Sequence, residues 1–142
     1  AILCVFLIKM STKLSYRVVS VSGEDQECAA TELLAENPSS RGWQSARFCE
    51  YPQELTIQFL SLVHLKQIQF LCHQSKIPSR VELYSYAPET LLPVGEEDAR
   101  YKRLGFLSLD SNERSGYQAR EIKTVYLDSV CLYLKFVFFK CH

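Results

Sequence analysis

The chain has 142 residues, of which 16 are basic and 16 acidic, so its formal net charge is zero. This length suits one ordinary domain with a single core. The balanced charge excludes the global field that draws a protein onto nucleic acid or an anionic membrane, so we expect neither partner, and recognition by charge must be local.

The first ten residues pose a separate question. Ala1 to Lys9 is an apolar run that is too short to span a bilayer and lacks the basic start and cleavage site of a signal peptide. Met10 is the only methionine in the chain. We treat residues 1–10 as an N-terminal extension or, alternatively, as an edge strand, and residues 11–142 as the domain.

Strands separated by polar connections are predicted for most of this domain. The clearest of them alternates strictly, with Leu55, Ile57 and Phe59 on one face, and the same period places Ile68 and Phe70 on an inward face later on. The seven predicted strands are Tyr16–Ser22, the strand around Leu55–Phe59, Lys66–Gln74, Ser79–Tyr86, Phe106–Leu109, Ile122–Ser129 and Cys131–Lys140. This tally predicts an all-β, antiparallel β-sandwich.

Helix is predicted at two places only. Thr31 to Glu36 contains good helix formers and ends before the Asn37-Pro38 breaker pair. Glu96 to Arg103 is predicted to be a surface turn or a short helix, because its charges recur at helical i,i+4 spacing.

The last predicted strand carries Leu132, Leu134, Phe136 and Phe138 on one face. A strand this apolar should be central in its sheet and needs neighbours on both sides. Because the chain stops soon afterwards, we expect the domain to lack its last strand.

The six cysteines are scattered without a close pair, and we expect reduced thiols. Neither asparagine lies in a glycosylation pattern, which favours an intracellular protein. The chain also lacks a glycine-rich phosphate loop, a Gly-x-Ser-x-Gly elbow and closely spaced Cys or His pairs. We therefore predict no enzyme activity, no catalytic residue, no metal site and no cofactor.

Candidate binding residues are basic or aromatic. Trp43, between Arg41 and Arg47, could plug one end of the sandwich or anchor a partner. Arg100, Lys102 and Arg103, together with Tyr101, could hold an acidic peptide or tail, or they could lie in a solvated turn. The candidate set is Arg41, Trp43, Arg47, Arg100, Arg103 and Arg120.

Four segments, in order, resemble those of one family: Gly42–Glu54, His73-Gln74, Arg103–Leu109 and Ala119–Tyr126. The chain resembles the N-terminal domain of the family of centrosomal proteins of 104 kDa, from about Tyr16 to His142. The resemblance implies a discoidin-like, or galactose-binding-like, jelly roll. It also implies a noncatalytic protein-interaction module of a microtubule-associated protein that supports cilium assembly.

The partners implied by this resemblance are proteins of the ciliary tip and of the microtubule plus end, with tubulin as one candidate. The implied location is the cytoplasm and cytoskeleton, at the centriole and the cilium tip. The alternative is a glycan-binding module, since discoidin-like jelly rolls often bind sugars at loops. In that case Trp43, Tyr51 and Arg47 could stack on a sugar ring and form hydrogen bonds with it.

Overall fold

The structure is a computed structural model. It describes residues 14–34, 42–72, 76–88, 100–118 and 122–142, together with the backbone of residues 6–10. Six antiparallel strands in these ranges form one hydrogen-bonded network, in the order β1-β3-β6-β4-β5 with β2 also beside β3. They are β1 (Phe6–Met10), β2 (Tyr16–Val21), β3 (Gln53–Cys72), β4 (Arg80–Tyr86), β5 (Lys102–Ser108) and β6 (Ile122–Phe138).

The two long strands, β3 and β6, belong to two layers. The larger sheet consists of β2, the first half of β3, the second half of β6, β4 and β5, whereas the smaller sheet consists of β1 and the other halves of β3 and β6. Phe70 of the smaller sheet packs edge-on against Phe136 of the larger sheet, with ring centroids 5.6 Å apart. This contact places the two sheets face to face, so the predicted antiparallel β-sandwich is confirmed.

An irregular segment of β3 carries the chain from one layer to the other. Between the Gln58–Tyr133 pair and the Val63–Cys131 pair, β3 contains residues 59–62 whereas β6 contains residue 132 alone. Leu60, in this segment, is 78% exposed. The prediction of two separate strands here was wrong, because the ladder to β6 resumes after the irregularity. The two strands predicted between Ile122 and Lys140 are likewise one continuous strand, β6.

The core lies between the sheets, and the predicted inward faces of β3 are confirmed. Leu55, Ile57 and Phe59 are at most 1% exposed, and Ile68 and Phe70 are equally buried. The buried hydrophobic residues of β3 have odd numbers up to Leu65 and even numbers from Ile68 onward. The change occurs where the register with β6 shifts, between Leu65 and Gln67. A strict period of 2 therefore holds within each half of β3 but not across the whole strand.

The strand β6 is central, as predicted, and its two neighbours are β3 and β4. Leu134, Phe136 and Phe138 are buried, whereas Leu132 is only half-buried and Cys131 is buried in its place. The existence of a further strand stays a prediction. At the other end of the chain, β1 pairs with Ile68–Cys72, so residues 6–10 form an edge strand.

The first predicted helix is present, with different bounds. The segment Ala30–Leu34 is a short 3₁₀ helix that begins one residue before the predicted Thr31, and residues 35 and 36 lie outside the described ranges. The second predicted segment, Glu96 to Arg103, is described only from Arg100 onward, and residues 96–99 lie outside the described ranges. Its last two residues, Lys102 and Arg103, belong to β5, where they pair with Ser85 and Tyr84 of β4, so the prediction of a helix that extends to Arg103 was wrong. Pairing with a neighbouring strand overrides the weak i,i+4 charge pattern there.

The remaining features concern membranes and cysteines. None of the described helices has the length and apolar character that a bilayer crossing requires. The cysteines of the described ranges have reduced thiols: Cys28, Cys49, Cys72, Cys131 and Cys141. Cys72 is 7% exposed and belongs to the core, two residues after the buried Phe70.

Candidate functional site

The outer face of the larger sheet carries a concentrated set of charged and aromatic side chains where β4 meets β5. Val81 and Leu83 point inward and are buried. The alternation of a strand therefore turns Arg80, Glu82 and Tyr84 outward. Across the ladder, Phe106 of β5 lies opposite Glu82 and is 56% exposed.

Glu82 is the centre of this set. Its Oε1 accepts hydrogen bonds from Nη2 of Arg80 at 2.8 Å and from Nη2 of Arg103 at 3.3 Å. Its Oε2 accepts one from the hydroxyl of Tyr84 at 2.7 Å. The Glu82 side chain is only 14% exposed, whereas those of Arg80 and Arg103 are 40% and 46% exposed. We call Arg80, Glu82, Tyr84, Arg103 and Phe106 the Glu82 cluster.

These contacts keep Glu82 ionised. The hydrogen bond from Tyr84 is the largest cause that lowers the pKa of Glu82, and Arg103 and Arg80 lower it further against an opposing contribution from burial. The same hydrogen bond raises the pKa of the Tyr84 hydroxyl, which stays protonated as a donor. With two guanidinium groups around one carboxylate, the cluster has a local excess of positive charge.

The two guanidinium groups are also held by aromatic rings. Cζ of Arg80 lies 4.0 Å from the centroid of the Phe106 ring and 5.7 Å from that of Phe139. Cζ of Arg103 lies 5.7 Å from the centroid of Phe106. Stacking of this kind leaves the in-plane N–H groups of an arginine available for a planar anion. The guanidinium groups of Arg80 and Arg103 are therefore held in fixed positions on side chains that are 40% and 46% exposed.

Tyrosine rings extend this surface along the sheet. Nζ of Lys135 lies 4.5 Å from the ring centroid of Tyr101 and 5.6 Å from that of Tyr84. Tyr86, which is only 7% exposed, contacts both Tyr101 and Tyr133, at centroid distances of 5.5 and 5.7 Å. The outer face thus combines arginine and lysine with aromatic rings, and of these the arginine and aromatic residues are enriched at protein interfaces.

The structure brings only part of the predicted binding set together. Arg103 belongs to the Glu82 cluster, and Arg100 is exposed just before β5, next to Tyr101. Arg47 is exposed in a turn of a different loop, beside Phe48, which is 88% exposed. The remaining two arginines of the set, Arg41 and Arg120, lie outside the described residues.

Trp43 lies in the core and not on a binding surface. Its side chain has no exposed area, its ring packs on Phe138 at a centroid distance of 5.2 Å, and its Nε1 donates a hydrogen bond to the carbonyl of Gly23 at 3.1 Å. A partner cannot reach an indole in this position. Of the two roles predicted for Trp43, the plug agrees with its burial, and we leave Trp43 out of the candidate site.

Sequence reasoning missed Arg80, Glu82, Phe106 and Lys135. A signal for the first two was present, because a strand predicted at Ser79–Tyr86 necessarily turns Arg80, Glu82 and Tyr84 to the same side. The approach of Phe106 depends on the β4–β5 register, which the sequence does not reveal.

The described ranges contain no group of three or more His, Cys, Asp or Glu side chains that could hold a metal ion. His64 and Asp128 contact each other on the smaller sheet, and their side chains are 50% and 82% exposed. The hydrogen bond from His64 is the main cause that lowers the pKa of Asp128. This contact is a solvated surface pair, which contributes little to stability.

Comparison with known proteins identifies the family. The family described as centrosomal protein CEP104, N-terminal domain, matches residues 42–142. The chain belongs to this family. It is 41% identical over 135 residues to the centrosomal protein of 104 kDa of Mus musculus, and the human protein of that name is 40% identical over the same length. Each alignment covers 94% of this chain but 14% of the relative, so the chain spans about a seventh of the curated relatives.

Solved structures with low sequence identity establish the fold of this CEP104-family domain. Reduced XRCC1 bound to the catalytic domain of DNA polymerase β has a TM-score of 0.64 at 18% identity, covering 91% of this chain and 87% of that one. The family 32 carbohydrate-binding module of Clostridium perfringens NanJ, in complex with galactose, has a TM-score of 0.63 at 10% identity, covering 96% and 90%. A second C. perfringens module of the same class, in complex with GalNAc-β-1,3-galactose, has a TM-score of 0.61 at 12% identity, covering 89% and 85%. The predicted discoidin-like jelly roll is confirmed, and the family places the chain in a centrosomal, cytoskeletal protein.

Proposed function

We propose that this domain is a noncatalytic docking module that binds an acidic segment of a partner protein through the Glu82 cluster. The supporting observation is the convergence of Arg80 and Arg103 on the single carboxylate of Glu82, on a face that also exposes Phe106. Carboxylates pair with guanidinium groups through two parallel hydrogen bonds, which favours arginine in this role. The zero net charge of the chain makes this positive surface a local feature.

The proposed partners are proteins of the ciliary tip and of the microtubule plus end. The acidic tails of tubulin are the first candidate, because they supply many carboxylates on one flexible segment. Membership in a centrosomal family supports a cytoskeletal partner. In this proposal the domain acts in the cytoplasm, at the centriole and the cilium tip, and supports cilium assembly by holding its partner there.

A glycan-binding function is the second candidate. It is favoured by two fold relatives, whose structures are complexes with galactose and with GalNAc-β-1,3-galactose. A sugar site in the loop before β3 relied on stacking against Trp43, but that side chain is fully buried. The acidic-segment proposal therefore has stronger support from the geometry.

The test is co-sedimentation of the purified domain with stabilised microtubules across a salt series. We expect pelleting that weakens as salt rises, because the Debye length falls below about 10 Å above 0.1 M salt. Microtubules whose acidic tails have been removed by limited proteolysis should pellet less of the domain. A glycan array on the same preparation tests the second candidate.

A matched pair of charge reversals locates the site. Arg103→Glu should weaken pelleting about tenfold or more, since a hydrogen bond to a charged group contributes about 1.5–3 kcal/mol. Arg17→Glu makes the same change in net charge on β2, at the opposite edge of the larger sheet. Four strand spacings separate the two edges, a distance of about 19 Å. The proposed site is wrong if both variants lose microtubule pelleting to the same extent, or if neither variant loses it.

A further inference from the structure

The strand β5 forms an open edge beside the Glu82 cluster. One side of β5 pairs with β4, and no strand of the described ranges pairs with its other side. An open edge presents unpaired backbone N–H and C=O groups, which an extended peptide can use to add a strand. The guanidinium carbons of Arg80 and Arg103 lie 4.0 Å and 5.7 Å from the ring centroid of Phe106, a residue of this edge.

The hydrogen bonds of β4 show which residues of β5 face the edge. The carbonyl of Arg80 accepts from the N–H of Phe139 at 3.0 Å, so the backbone of Arg80 points toward β6. Opposite residues of an antiparallel pair either exchange hydrogen bonds or both point away. Ser108, opposite Arg80, therefore directs its N–H and C=O to the open edge, and Phe106, opposite Glu82, does the same.

A bulge sets one end of this edge. Gly105 pairs with Leu83 and Arg103 pairs with Tyr84, so β5 has an extra residue, Leu104, at this point. Gly105 has a φ of 148°, a conformation that favours glycine. The regular edge is thus limited to Phe106–Ser108, which is long enough for one short segment.

We propose that an extended acidic segment of the partner adds to β5 as a strand and pairs with the backbone of Phe106 and Ser108. Acidic side chains of the segment lie on the outer face near Arg80 and Arg103. The alternate side chains are apolar and extend the inner layer beside Leu107, which is 7% exposed. This inference rests on the proposed function and adds the mode of binding to it.

The charge of the edge determines the occupant. Basic side chains at an edge strand discourage pairing between two copies of the same protein, because each copy brings the same charge. The same side chains attract an acidic strand. A short edge with arginines near it is therefore protected against self-association and open to an acidic peptide.

A synthetic ten-residue peptide of alternating Glu and Val residues is the probe, with binding measured by fluorescence anisotropy. Two further peptides carry backbone N-methyl groups, one on every Glu and the other on every Val. Since only one set of N–H groups of an added strand faces β5, one methylated peptide should lose binding and the other should keep it. Equal binding of both methylated peptides, or equal loss, would overturn strand addition.

A matched pair of variants tests the same edge from the protein side. Ser108→Pro removes an N–H that faces away from β4, a change that an edge strand tolerates. Loss of the one hydrogen bond to the peptide should weaken peptide binding about tenfold, which corresponds to about 1.4 kcal/mol. Ser108→Ala keeps the N–H and should bind like the wild type.

The outcomes separate the two proposals. If Arg103→Glu loses microtubule binding while Ser108→Pro binds the peptide normally, strand addition is wrong and the docking proposal stands. If the wild type binds neither microtubules nor the peptide, both proposals are wrong. If Ser108→Pro does not fold, the methylated peptides decide, since they leave the protein unchanged.

Discussion

Replacing Trp43 with alanine is the sharpest test of the core. The indole has no exposed area, stacks on Phe138 and donates a hydrogen bond to Gly23. Truncation of a buried Phe or Trp side chain to alanine costs about 3–5 kcal/mol of unfolding free energy. For a chain of this size, where 1 kcal/mol shifts Tm by about 3 °C, we expect Tm to fall by about 10–15 °C.

The assay is thermal unfolding followed by circular dichroism, with chemical denaturation to obtain the free energy. Phe48→Ala is the matched control, since this ring lies five residues away in the same loop and is 88% exposed. Its effect should stay within about 0.5 kcal/mol, as for other surface substitutions. A fall of less than about 1 kcal/mol for Trp43→Ala would refute the buried position of this side chain.

Two further predictions concern the contact between the sheets and the response to alkali. Phe70→Ala, which removes the contact with Phe136, should cost about 3–5 kcal/mol in chemical denaturation, whereas Leu60→Ala should cost under about 0.5 kcal/mol. Equal costs would contradict the face-to-face packing of the sheets. Burial raises the pKa of Tyr16 from 10.0 to about 12 and that of Cys131 from 9.0 to about 11. Both groups are neutral in the folded state, Cys131 in the core and Tyr16 packed against it, so the stability they contribute is complete below pH 9.0 and is lost as pH rises through about 11 and 12. Denaturant midpoints measured between pH 8 and 12 should decrease as the pH rises, and the decrease should be smaller in Tyr16→Phe. A midpoint that stays constant over this pH range would contradict the prediction.

The sequence predicts the strands best where burial imposes a period of 2. Leu55, Ile57 and Phe59 show this clearly, and so do Ile68 and Phe70 in the other half of β3, because each half faces the core on one side. The continuity of β3 could not be predicted. It depends on the irregular ladder to β6, and residues 59–62 carry no local signal for a strand that passes between two sheets.

The candidate site was predicted in part. Arg103 stands out as a cation within a basic segment, but its role depends on Glu82 and Phe106, which only the β4–β5 register brings to it. Trp43 shows the reverse case. A single tryptophan near arginines fits a binding anchor as well as a core plug, and composition cannot separate the two before its burial is known.

The most direct test of the docking proposal is an NMR titration of the ¹⁵N-labelled domain with a peptide that reproduces an acidic tubulin tail. The proposal predicts that the largest amide shift changes fall on β4 and β5, around Glu82, Arg103 and Phe106, and that added salt reverses them. Shift changes centred on the loop around Arg47 and Phe48, or no changes at millimolar peptide, would contradict it.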